Sequence, residues 1–154
     1  IGPALADVYD DVLRLIKRED WSKAEALASQ HLQTREQDPQ MRLLLSRIQE
    51  GQGQSGPAME TLRALTQAFP ELAEPHNNLA ALLARQNRYA EALVSLQAAI
   101  RARPDYATAL ENLGDVYLAL AIEAYQNANR AMPSQPRTTN KRLAVEQVLK
   151  SSTP

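Results

Sequence analysis

Leu110-Glu111-Asn112-Leu113-Gly114-Asp115-Val116-Tyr117 decides the fold, because its positions recur earlier in the chain at a fixed interval. Leu45, Leu79 and Leu113 stand 34 residues apart, and so do Ala24, Ala58 and Ala92. Pro70 and Pro104 keep the same spacing, and the aromatic Trp21 maps through Ser55 to Tyr89. Unrelated helical hairpins would share amphipathic periodicity, but they would not hold residue types in one register, so the pattern is an internal repeat. The units are 5–38, 39–72, 73–106 and a shortened 107–133, followed by a tail over 134–154.

Each full unit reads as two helices. In the third, Leu79, Ala80 and Leu83, then Ala92, Leu96, Ala99 and Ile100, follow helical spacing, with a turn at Gln86-Asn87-Arg88. Pro104 stops the second helix because its ring cannot donate to the ladder. The first two units are less regular: Asp11-Val12 and Leu45-Ser46 occupy the places of Leu79-Ala80 and Leu113-Gly114. In the fourth unit the turn has gone. From Tyr117 to Tyr125 no Gly, Asn or Pro interrupts the chain, and Leu110, Leu113, Tyr117, Leu120, Ala121, Ala124, Ala128 and Ala131 continue one stripe. The spacing therefore predicts a single helix over about 107–131, with a tight turn that keeps a normal hairpin as the alternative. Its second half leaves Ile122 and Tyr125 in need of cover, from a tail helix over about 138–150 (Leu143, Val145, Val148, Leu149) or from another copy of the chain.

Leu110-x-x-Leu113-Gly114-x-x-Tyr117 resembles the first-helix signature of the tetratricopeptide repeat, with Leu in the place of its usual Trp. Ala92-x-x-x-Leu96 with Pro104, and Ala121-x-x-x-Tyr125 with Pro133, resemble its second-helix half. The resemblance covers 5–133 and is strongest over 70–133. It implies an all-α solenoid of helix-turn-helix repeats, here with a long, turn-less fourth-repeat helix and a C-terminal capping helix. Small residues at Ala80 and Gly114 fit that expectation, since paired helices approach closest where side chains are small.

Composition narrows the function. The 154 residues carry 17 Lys+Arg against 18 Asp+Glu, a net charge of -1, which lacks the basic excess of a nucleic-acid groove. No run approaches the ~20 apolar residues of a membrane-spanning helix, so no membrane insertion is expected. The absence of Cys removes thiol catalysis, iron-sulfur clusters and Cys-based zinc sites. Gly51-Gln52-Gly53-Gln54-Ser55-Gly56 matches G-x-G-x-x-G literally, but no strand precedes it; the glycines are expected at a helix-helix turn, where they permit φ > 0. His31 and His76 lie in different units without metal-ligand spacing, and His76 is expected to pack between helices. No serine sits in a nucleophile elbow, and Asp10-Asp11 and Glu19-Asp20 read as solvated helix-end charges. No catalytic residue, cofactor or metal ligand is assigned, and no enzymatic activity is expected.

The resemblance implies a concave face lined by first helices, the surface on which solenoids bind proteins or extended peptides. Its expected residues are Glu74, Asn78, Ala81 and Arg85 on the third unit and Thr108, Asn112, Asp115 and Ala119 on the fourth. The second unit contributes Gln40, Leu44, Arg47 and Gly51, and the first Asp10, Leu13 and Lys17. Asn78 and Asn112 match the asparagine ladder of some tetratricopeptide superhelices, where one amide bonds both C=O and N–H of a peptide backbone; capping of neighbouring backbone is the alternative. Lys17, Arg47 and Arg85 are opposed by Asp10, Glu74 and Asp115, which argues for a neutral or mixed-charge partner rather than an anionic one. Arg137, Lys141, Arg142 and Lys150 against Glu146 give the tail an excess of three positive charges, read as solubility.

Two alternatives stand beside a non-enzymatic scaffold. One is a homodimer through Leu118, Ile122, Tyr125, Leu143 and Val148; the other is a regulatory subunit of a cell-envelope enzyme. Phe69-Pro70-Glu71-Leu72, Glu74-Pro75, Asn77-Asn78-Leu79-Ala80 and Tyr106-Ala107-Thr108-Ala109 are similar to small bacterial tetratricopeptide proteins, many of them exported. That resemblance, with the small-x-small triplet Ala4-Leu5-Ala6 as a signal-peptidase remnant, implies a periplasmic or envelope location, with the cytoplasm as the alternative.

Overall fold

The computed structural model describes residues 5–151, with side chains from Val8 onward, so Ala4-Leu5-Ala6 lies outside the side chains described. Among the described residues the chain forms eight α-helices and no strand. They are α1 (Leu5–Lys17), α2 (Trp21–Thr34), α3 (Pro39–Gly51), α4 (Ser55–Ala68), α5 (Ala73–Arg85), α6 (Tyr89–Ala102), α7 (Ala107–Ala131) and α8 (Pro136–Ser151). Two compact units divide the chain between Leu79 and Ala80, inside α5.

The turn inside each hairpin is built the same way at 34-residue intervals. Glu19, Gly53 and Asn87 have φ of 57°, 75° and 59°. The amide after each donates to a carbonyl five residues back: Asp20 to Leu15 at 3.0 Å, Gln54 to Gln49 at 2.8 Å and Arg88 to Leu83 at 3.0 Å. This is the Schellman closure, which satisfies the last carbonyls of the first helix through one left-handed residue. Of the three glycines expected at φ > 0, only Gly53 has it. Gly51 instead ends α3, where a Cβ would stand 2.5 Å from the Trp21 ring, and Gly56 lies in the first turn of α4. The next position in the register, Ala121, lies inside α7.

That continuity is the predicted single helix, with the expected bounds. α7 is ~37 Å long at 1.5 Å per residue. It ends at Met132, whose amide donates to Ala128 O at 2.9 Å before Pro133. α6 ends likewise: Arg103 donates to Ala99 O at 2.9 Å and Pro104 follows. The tail helix begins at Pro136, two residues before its expected start, since proline's fixed φ suits a first helical position.

In the N-terminal unit α1 packs on α2 and α3, α2 on α3, and α3 on α4. Its core joins Val12, Ile16, Ala24, Ala28, Met41, Leu44 and Ile48, flanked by Val8, Tyr9, Leu15, Trp21, Leu27 and Leu32. Leu44 therefore belongs to the core rather than to the groove stripe of the sequence reading: burial of its isobutyl group against α1 outweighs the 34-residue register that placed it beside Asn78. In the C-terminal unit α7 packs between α6 and α8. Ala92, Leu96, Ala99, Ala109, Val116 and Ala119 are buried there. Ala24, Ala58 and Ala92, the alanines in register, are all inaccessible to solvent, which is where close helix approach needs small side chains.

Candidate functional site

A well-formed concave surface inside one unit lies in the C-terminal unit. The second half of α5 supplies Ala80, Ala81, Ala84 and Arg85; α6 supplies Tyr89 and Leu96; α7 supplies Asn112, Asp115, Val116 and Ala119; and α8 supplies Leu149. Together they enclose a groove of about 560 Å³. Its floor is apolar because α5 and α7 present alanine and valine where longer side chains would fill the space. Its polar groups are the Arg85 guanidinium, the Asp115 carboxylate, the Asn112 carboxamide and the Tyr89 phenol. A second depression, of about 410 Å³, adjoins it along α7, lined by Asn87, Tyr89, Ala119, Ile122, Glu123, Gln126 and Leu149. The spacing Asn112, Asp115, Ala119, Ile122, Gln126 is one face of a helix, so α7 lines both.

Five of the predicted groove residues, Ala81, Arg85, Asn112, Asp115 and Ala119, line this groove. Thr108 is exposed in the first turn of α7, before the groove begins. In the N-terminal unit, Lys17 is exposed in the last turn of α1, Gln40 and Arg47 are exposed on α3, and Glu74 is exposed in the first turn of α5. Asn78 is half-buried and accepts from Asn77 Nδ2 at 3.5 Å. Of the residues assigned to a dimer surface, Ile122 borders the depression with Leu149, and Tyr125 lies under the Lys141 ammonium, 5.9 Å from the ring centroid. Tyr125 therefore meets α8 of the same chain. Leu118 is half-buried, while Leu143 and Val148 are exposed on α8.

Sequence reasoning missed a second polar cluster, in the N-terminal unit. Asp38 caps α3: one carboxylate oxygen accepts from the Met41 amide at 3.0 Å. The other accepts from the Tyr9 hydroxyl and lies 2.7 Å from His31 Nε2. The His31 and Asp38 side chains are 7% and 12% exposed, so little water is at hand to replace a lost partner. The Tyr9 and His31 rings lean on each other at 5.5 Å. Burial by itself raises the Asp38 carboxyl, but the Tyr9 hydroxyl, the Met41 amide and the His31 ring outweigh it and hold the group below the usual carboxylate range. Burial, reinforced by the bond to Asp38, pushes the Tyr9 phenol up to about 12. The cluster joins three helices, and its geometry serves structure. Asp38 before Pro39 was a visible cap signal, whereas the bond to His31 crosses from α2 to α3 and has no local signature.

His76, expected to pack between helices, places Nε2 3.1 Å from Pro70 O and so ties α5 to the loop before it. Among the described residues no three His, Asp or Glu gather closely enough to hold a metal ion. Among them, no helix is long and apolar enough to cross a membrane.

Comparison with known proteins agrees with this architecture. Residues 82–120 match the family model of the TPR, or tetratricopeptide, repeat. PilF of Pseudomonas aeruginosa superposes with a TM-score of 0.69 at 20% identity, over 95% of this chain and 69% of that one. MamA superposes with a TM-score of 0.65 at 21% identity, over 97% of this chain and 93% of its own. In Naa15/Naa10 bound to HypK-THB, 23% of the matched chain superposes on 95% of this one, with a TM-score of 0.64 and 14% identity. No curated protein matches the sequence.

Proposed function

We propose that this chain, a tetratricopeptide-repeat protein by its matched repeat and its fold, is a non-enzymatic scaffold that holds an extended segment of another protein in the groove between α5 and α7. The fold implies a protein-protein interaction scaffold; the groove assignment is the finer step. One observation carries it: within one unit, first-helix alanines leave about 560 Å³ open where larger side chains would close it. An apolar floor with few polar groups suits a peptide that buries one or two apolar side chains. Arg85 and Asp115 bring opposite charges to that lining, so the segment favoured is neutral or of mixed charge. Asn112 presents an amide able to bond backbone C=O and N–H without reading side chains. The resemblance to exported bacterial repeat proteins supports an envelope setting for that partner.

Peptides selected from a displayed random library test the groove. Ala84→Trp fills it and is expected to abolish binding of the selected peptides. Val94→Ser, on an exposed part of α6 outside the groove, is expected to leave it intact. Peptides that bind Ala84→Trp as tightly as the parent would overturn the assignment.

A further inference from the structure

The side of α7 opposite the groove is bare, and the repeat register shows what should cover it. Leu113, Gly114 and Tyr117 correspond at 34 residues to Leu79, Ala80 and Leu83 of α5. Ala80 and Leu83 are 1% and 2% exposed. Their counterparts are not: Tyr117 is 50% exposed, Gly114 is exposed, and a Cβ built on Gly114 meets nothing within 4 Å. Leu110, one turn earlier, is 45% exposed. At 100° per residue Leu110, Gly114, Tyr117, Ala121, Ala124 and Ala128 fall on one stripe, about half a turn away from the groove-lining Ala119.

The helix that would cover this stripe is in the chain but in the wrong place. Ala121-x-x-x-Tyr125 with Pro133 repeats the second-helix pattern of Ala92-x-x-x-Leu96 with Pro104, yet it continues α7 without a turn. Two halves made to pack on each other are thus fixed end to end on one rod. α8 reaches only the edge of the stripe: Lys141 lies over the Tyr125 ring, about 20° beyond Gly114 around the helix, and Leu149 borders a depression shared with Ala119, Ile122 and Gln126 on the other side of α7, while Leu110, Gly114, Tyr117, Ala124 and Ala128 stay exposed. Gly114 adds an independent sign. A glycine in mid-helix costs stability through lost backbone freedom, and within this chain no close approach repays it.

We propose that α7 pairs antiparallel with α7 of a second copy, so that the first-helix half of each is covered by the second-helix half of the other. A twofold axis level with residue 119 sets Leu110 opposite the partner's Ala128, Gly114 opposite Ala124, and Tyr117 opposite Ala121. Each pair matches a position needing cover with a small one, and the same contacts occur twice, as a closed twofold interface requires. The antiparallel direction also sets each helix's N-terminal dipole end beside the other's C-terminal end. The groove is untouched, because it lies on the opposite face.

Light scattering across 1–100 µM tests the state, and cysteine pairing tests the register. The chain has no native Cys, so introduced ones report alone. Leu110→Cys mixed with Ala128→Cys is expected to give a disulfide-linked dimer on mild oxidation, while Leu110→Cys alone gives none, its two copies lying ~27 Å apart along the axis. Ala124→Glu, at an exposed position, is expected to keep the circular dichroism of the parent and raise the dimer dissociation constant at least 100-fold. Leu143→Ser, exposed on α8, is expected to leave it unchanged. A monomer throughout the concentration range, self-linking of Leu110→Cys, or a dimer indifferent to Ala124→Glu would each overturn the proposal.

Discussion

His31 Nε2 lies 2.7 Å from Asp38 Oδ2, and that contact fastens the C-terminal turn of α2 to the residue that caps α3. The same carboxylate holds Tyr9 of α1, so one side chain serves three helices of the N-terminal unit. Asp38→Ala removes the cap, worth about 1 kcal/mol. It also strands the part-buried Tyr9 hydroxyl and His31 imidazole, at about 1–3 kcal/mol for groups left unsatisfied. Urea unfolding is expected to show a loss of roughly 2–4 kcal/mol for Asp38→Ala. Tyr9→Phe removes one partner and leaves the cap, so the expected loss is about 1 kcal/mol. Equal losses from both variants would show that Asp38 acts through Tyr9 alone.

The cluster also sets a pH dependence at both ends of the scale. The folded Asp38 carboxyl lies below its ordinary 3.8, so its contribution is complete above that value and disappears as pH falls through the lower folded one. Tyr9 is raised from 10.0 to about 12; its contribution is complete below pH 10 and disappears as pH rises towards 12. Urea midpoints followed from pH 2 to 12 should therefore fall at both extremes. The alkaline fall should shrink in Tyr9→Phe and the acid fall in Asp38→Asn. An alkaline limb that survives unchanged in Tyr9→Phe would assign it to another group.

Gly51 and Trp21 meet so closely that a Cβ on Gly51 would stand 2.5 to 2.6 Å from three ring carbons of the indole. Overpacking of this kind costs about 1–3 kcal/mol, because ring and backbone must both move. Gly51→Ala is expected to be destabilised by that amount and to shift the emission of the single tryptophan. Gly53 has space around it but a φ of +75°, so Gly53→Ala is strained by roughly 1 kcal/mol while the emission stays put. Gly56, with neither constraint, should accept Ala without loss. The three glycines of one short motif thus separate into a contact, a turn and a filler. Loss of stability at Gly56 would break that separation.

How far the sequence reached follows from the range of each interaction. α7 was readable because helix continuity is local: nothing between Tyr117 and Tyr125 breaks the 3.6-residue stripe, and no turn forms. The hairpin turns were readable as places, through the 34-residue register, but not as conformations. Glu19 takes the left-handed angle although glutamate has no preference for it; the closing bond from Asp20 to Leu15 fixes the chain there. Arg85, Asn112 and Asp115 were found because helical spacing alone puts them on first-helix faces. Leu149 was missed as a groove residue because its position depends on how α8 lies across α7, and α8 carries no strong apolar stripe that would announce its orientation. His31 escaped for the same reason: its partner lies on another helix.

α8 closes one side of the groove while burying little of itself. None of its residues is fully buried, Leu143 and Val148 are about half exposed, its apolar Val145 and Leu149 are only half-buried, and Lys141 lies over the Tyr125 ring of α7. An exposed cation-π contact adds only about 0.5–1 kcal/mol. α3 differs: Met41, Leu44, Ser46 and Ile48 are buried in the core of its unit. Local opening follows buried apolar contact, so α8 is expected to detach while the rest of the fold stays closed. Amide hydrogen exchange should show residues 138–151 exchanging at least 100-fold faster than residues 43–50. Leu149→Ala should speed exchange across α8 further without lowering the global unfolding midpoint by more than a few tenths of a molar in urea. Equal protection of α8 and α3 would mean that the tail unfolds only with the whole chain, and the groove wall it forms would then be fixed.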